Sequence, residues 1–135
     1  MKEQLSATLQ NSRTYTLAVA EAMPADAWNF KPKSAGWNFR ELLHHIAYGI
    51  QWWEANYIRG KETPWDQPTA KDNKQAVIDY LNQAYDALAV TVNQQKLTDK
   101  MVQGFHATID HITHHRGQAV VYLHCNGITP PEYTY

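Results

Sequence analysis

A chain of 135 residues, 44% of them apolar, can bury a core without disulfide or metal staples and reads as a single domain over residues 1–135. Its net charge of −1, with lysines and arginines scattered, excludes the concentrated basic surface that a nucleic-acid partner requires. The lone cysteine, Cys125, excludes an internal disulfide framework, and no apolar run approaches the ~18 residues of a membrane span, so a cytoplasmic protein without a membrane partner is expected.

Four helical segments follow one another along the chain. The first spans about residues 2–22, with Leu5, Leu9, Leu17 and Ala20 at periodic apolar positions, and Pro24 ends it. Residues 23–36, punctuated by prolines and glycine, form an irregular connector. The second helix is expected from Asn38, with Glu41 completing a capping box, to about Arg59, where Gly60 fits a C-terminal cap. Its apolar stripe contains Phe39, Leu42, Ile46, Ile50, Trp53 and Tyr57. A second connector, 60–72, could span ~40 Å if extended, the length of a bundle. The third helix is expected over about Asn73–Gln95 with Asp72 as N-cap. The fourth is expected over about Gln103–Asn126, stopped by Gly127 and Pro130-Pro131. With no alternating strand signal, the fold class is all-α, a four-helix bundle.

The histidines carry the chemical signal. His111 and His115 are four residues apart, separated by only about 40° on a helix, the spacing at which two imidazoles can share one metal ion. The pair His44-His45 lies on the second helix. At ~100° per residue, His45 falls roughly 110° from the centre of its stripe, in a column with Glu41, Tyr48 and Trp52. His44 falls further round, on the side away from the stripe. On the fourth helix the stripe is Phe105, Ile109, Ile112, Ala119 and Leu123. His115 lies about 80° and His111 about 120° from its centre, with Gln118 and Tyr122 alongside. Both helices thus carry histidine at a margin, where a pocket rim forms between helices. His106, His114 and His124 are poorer ligands by position. Arg116, near mid-stripe, is expected to bond carbonyls or a carboxylate in a connector, and Gly117 to allow close helix approach.

Read as a whole, His111-x-x-x-His115-Arg116-Gly117-Gln118, followed by Val121-Tyr122-Leu123, Gly127 and Pro130-Pro131, together with Leu42-Leu43-His44-His45-Ile46-Ala47, resembles the DinB/YfiT-like superfamily. The resemblance implies an up-down-down-up four-helix bundle. It also implies a metal site of one histidine from the second helix and two from the fourth, here His45, His111 and His115. His44 and Glu41 remain alternative contributors.

Three neutral imidazoles suit Zn²⁺ or Ni²⁺ and also accept Fe²⁺ or Mn²⁺. An open coordination position could acidify water, polarise a carbonyl or hold a thiolate. By resemblance the first expectation is a metal-dependent transferase acting with a low-molecular-weight thiol on a small-molecule substrate. A metal-dependent hydrolase is the enzymatic alternative. A non-enzymatic stress-response or interaction bundle with a structural metal, with exposed aromatics and a Pro-Pro-Glu-Tyr-Thr-Tyr tail forming a homodimer surface, is the other. Tyr48 and Tyr122 are candidates for bonding a ligand; no catalytic acid or base is identified.

Overall fold

A computed structural model describes residues 1–94 and 96–133. Its long helices are α1 (Lys2–Ala22), α2 (Phe39–Trp53), α3 (Lys74–Gln94) and α4 (Asp99–Cys125), and no strand occurs among the described residues. A 3₁₀ turn, Ala25–Ala27, follows α1, and a π-helical segment, Glu54–Ile58, continues α2. Among the described residues, no helix is long and apolar enough to cross a membrane.

Local chemistry sets most of the boundaries. Asn38 Oδ1 accepts the Glu41 backbone N–H at 2.8 Å and Glu41 Oε1 accepts the Asn38 N–H at 3.1 Å, a complete capping box that starts α2. At the end of α4, Gly127 has φ +70°, while the Ile128 N–H reaches the Leu123 carbonyl and the Gly127 N–H that of His124, both at 3.0 Å. That is a Schellman stop, and it needs a residue tolerant of the left-handed region. Two starts differ from expectation. The N-cap of α3 is Asn73 rather than Asp72, since Asn73 Oδ1 accepts the Ala76 N–H at 2.9 Å. Helix α4 begins at Asp99 rather than Gln103, because Thr98 Oγ1 accepts the Met101 N–H at 3.2 Å and adds a turn carrying half-buried Met101 and Val102. The expected end of the third helix at Gln95 lies outside the described residues.

Helix α2 packs against both α3 and α4, and α1 closes against the same two. Lys2 bonds the Asn93 carbonyl, Arg13 pairs with Asp86 and Lys74 with Glu21, so α1 and α3 run in opposite directions. Trp37 meets Tyr122, His45 meets His115 and Tyr57 meets Gly104, so α2 and α4 also oppose each other. Being covered from two sides, α2 is apolar over more than one stripe: Leu42, Leu43, Ile46, Ala47 and Ile50 all have no exposure. Each large aliphatic side chain so buried stabilises the fold by about 1.5–3 kcal/mol before entropy is counted. This corrects the expectation for His44. It is fully buried against α3, its ring centroid 5.0 Å from that of Tyr80.

The π-helical segment also corrects the expected stripe. One extra residue in the turn rotates the helix end, so Glu54 and Ile58 point inward while Trp53 is half-buried and Tyr57 is exposed. The buried Glu54 carboxylate is met by Arg59 Nε at 2.6 Å and by the Thr91 hydroxyl at 2.7 Å. Arg116 is buried and bonds a carbonyl as expected, but that carbonyl belongs to α1 rather than a connector, and the guanidinium also lies 5.6 Å from the Tyr133 ring centre. Its Nη1 reaches the Ser12 carbonyl and Thr16 Oγ1 at 3.4 and 3.3 Å, with the guanidinium 4.9 Å from the Tyr15 ring centre. Gly117 is exposed with nothing near its absent Cβ, so it serves no close approach; Gly104 on the same helix does, since its Cβ would lie 2.8 Å from that of Tyr57.

Candidate metal centre

His45 on α2 and His111 and His115 on α4 converge, the three offering ligand atoms that lie within 4.8 Å of one another. His45 Nε2 is 3.0 Å from His115 Nε2 and 3.1 Å from His111 Nε2. His45 is buried, and His111 and His115 are half-buried. The margins calculated from helical periodicity therefore do meet, because α2 and α4 pack directly.

Two carboxamides set which nitrogen of His45 and of His115 carries the proton. Gln67 Oε1, from the connector between the π-helical segment and α3, accepts from His45 Nδ1 at 2.7 Å. Gln118 Oε1, three residues beyond His115 on α4, accepts from His115 Nδ1 at 2.9 Å. With both protons on Nδ1, both Nε2 lone pairs face inward, and two lone pairs 3.0 Å apart repel unless a cation or a shared proton lies between them. Burial opposes the proton. It lowers the pKa of His45 and His115 against the pull of Gln67 and Gln118, and pushes His111 down to about 4, aided by His115, His45 and His114. Nitrogens held ~2.1 Å from one ion, at right-angle to tetrahedral separations, lie about 3.0–3.4 Å apart, so the observed spacings fit a shared divalent ion. Hydrogen bonds to the far ring nitrogen are what a histidine ligand needs to fix its tautomer.

His111 is held differently. Its Nδ1 is buried and has no hydrogen-bond partner among the described residues, and its ring lies in a notch left by Gly49 on α2. A Cβ at Gly49 would stand 2.3 Å from His111 Cε1 and 2.6 Å from its Nδ1. Gly49 was legible in principle, since it sits four residues after His45 on the same face, in a helix interior where glycine costs about 1 kcal/mol relative to alanine. Gln67 left no local signal; nothing in an irregular connector says which residue will reach the cluster.

The alternatives point away. His44 Nδ1 accepts the Lys71 N–H at 3.3 Å, and His44 is not among the converging ligand atoms of the described residues. Burial and the nearby Lys71 charge lower its pKa. Glu41 stays in its capping box. Tyr48 Oη accepts the Asp66 N–H at 2.8 Å and Tyr122 Oη donates to the Trp37 carbonyl at 2.7 Å, so both phenols brace connectors. Cys125 is exposed at the far end of α4.

Aromatic rings wall the cluster. Trp37 lies 4.3 Å from His45 and 5.9 Å from His115, Trp65 lies 5.6 Å from His45 and 6.2 Å from His111, and Trp53 lies 6.5 Å from His111, all between ring centres. They come from three separate parts of the chain, and neither Trp37 nor Trp65 was singled out by periodicity because both sit in connectors.

A family model for the DinB superfamily matches residues 8–119, a span that contains all three histidines and both glutamines. The chain belongs to the DinB superfamily. Metal binding is frequent in DinB proteins, and the histidine cluster of this member is the place where it would occur. A search of curated proteins finds no match to this DinB chain.

Proposed function

We propose that this DinB protein is a metal-dependent enzyme whose divalent ion, Zn²⁺ or Ni²⁺ before Fe²⁺ or Mn²⁺, is held by His45, His111 and His115. The single observation that carries the reading is the inward convergence of the Nε2 atoms with Nδ1 of two rings tied to Gln67 and Gln118. Its fold would be the single-domain, up-down-down-up four-helix bundle, a reading supported by the opposed directions of α1 against α3 and of α2 against α4.

Three protein ligands leave coordination positions open, and an ion bound there would supply Lewis acidity, lowering the pKa of a thiol or water. The chain's own residues prepare the site. Gln67 and Gln118 fix the rings, burial keeps the imidazoles neutral near pH 7, and Trp37 and Trp65 lie against the rings. The favoured activity is S-transfer from a low-molecular-weight thiol to a small electrophile in the cytoplasm. Three neutral imidazoles would leave the ion's charge to act on a bound thiol or water.

The test takes the metal-loaded protein and follows chelator-driven metal loss with and without a small thiol, beside turnover of an activated ester. Slowed metal loss with thiol and no ester turnover supports the transferase. Ester hydrolysis without thiol replaces it with the metal hydrolase. Metal that can be removed only with collapse of the helices replaces both with a structural role.

A further inference from the structure

We infer that the cavity beside His115 is a binding subsite for an organic molecule with a flat apolar body and a single anionic end. The inference rests on the metal-centre reading for its purpose, because the cavity shares two walls with the histidine cluster.

The cavity measures about 540 Å³ and lies between the 32–37 segment and α4. That volume falls within the range of small-molecule pockets, about 300–1,000 Å³. Pro32, Ala35, Trp37 and Val121 give it an apolar lining, with Gln118 at one wall. Trp37 is in ring contact with both His45 and His115, and Gln118 holds His115 Nδ1. A molecule in the cavity would therefore lie against the same indole and carboxamide that shape the cluster.

Two features of the lining bear on a ligand. Val121 is 56% exposed on α4, one turn beyond Gln118 on the same face, an isopropyl group left in water at the cavity edge. Ser34 has φ +68°, the left-handed region that side chains avoid, and the Ala35 N–H closes onto the Pro32 carbonyl at 3.0 Å beside it. Ser34 and its turn line the cavity. Strain of this kind gathers at ligand sites.

Charge sets the chemical class. Lys33 is the one charged side chain in the lining, which contains no carboxylate, so the cavity accepts a neutral or monoanionic molecule and disfavours a cation. A smaller cavity that also borders Trp37, about 320 Å³, is lined by Glu41 instead and disfavours an anion.

The experiment titrates the metal-free full-length protein with 1-anilinonaphthalene-8-sulfonate, a flat aromatic monoanion, and with N-phenyl-1-naphthylamine, the same body without the sulfonate. Expected are saturable one-to-one binding of both and at least tenfold weaker binding of both to Val121→Asp. Lys33→Glu should weaken the sulfonate alone. Both substitutions are at exposed positions, so both variants should fold and still take up one metal ion per chain. Dye binding unchanged in Val121→Asp, or no saturable binding, overturns the subsite. A sulfonate indifferent to Lys33→Glu overturns the anionic end. His115→Ala separates the two readings: loss of metal with dye binding kept leaves both standing, whereas metal uptake unchanged by that variant removes the metal centre but not the cavity.

Discussion

At the scale of single residues, the cluster depends on atoms that are not themselves candidate ligands. A methyl group at Gly49 would collide with His111 Cε1, the contact falling at 2.3 Å. Gly49→Ala should therefore weaken metal uptake at least tenfold while leaving helical content intact, since alanine favours helix over glycine. Metal titration beside circular dichroism checks this, and full affinity in a folded variant would show that the notch is incidental. Gln67→Ala and Gln118→Ala remove the acceptors of the Nδ1 protons, and losses of such partners cost about 10–100-fold in metal affinity. Equal affinity in both variants would mean that the carboxamides do not set the tautomers. That His45, His111 and His115 lie at helix margins was legible from helical periodicity, whereas grouping them into one set came from the resemblance to the DinB/YfiT-like superfamily. Gln67, Trp37 and Trp65 were not legible, because connectors have no period from which to calculate a direction.

Between elements, the lesson of α2 is that a helix packed on two neighbours does not carry one stripe. Reading Leu42, Ile46, Trp53 and Tyr57 as a single face placed His44 outward, whereas contact with α3 buries it against Tyr80. The π-helical segment, Glu54–Ile58, also escaped the sequence reading, since a constant angle per residue cannot anticipate one inserted residue. The capping signals were legible at Asn38 and Gly127, because a cap is settled by a few neighbouring atoms. Asn38→Ala removes the acceptor for the Glu41 N–H and should cost about 0.5–2 kcal/mol. A shift of the urea midpoint with an unchanged slope measures it, and no shift would mean that the box contributes nothing net.

Across the whole molecule, the core and the centre are separable. The buried aliphatic side chains of α1 to α4 form one continuous cluster that does not pass through a metal, so the metal-free protein should remain helical. Its stability should nonetheless depend on pH with a definite sign. His111 protonates near 6.5 when unfolded but only at about 4 when folded, and His45, His115 and His44 are lowered in the same direction by burial. Between those values the unfolded chain holds protons that the folded chain does not. The contribution is thus complete above pH 6.5 and is lost as the pH falls toward 4. Urea midpoints of metal-free protein at pH 7 and pH 5 should fall in that order, and a higher midpoint at pH 5 would contradict the assigned environments. Protons compete with metal for the same nitrogens, so affinity should fall over the same window. The most direct test of the central claim is elemental analysis of untagged protein beside His115→Ala, each after exposure to Zn²⁺ or Ni²⁺ and removal of the excess. About one ion per chain in the parent and none in a folded variant is the predicted result. Equal metal in both, or none in either, would contradict a centre built on His45, His111 and His115.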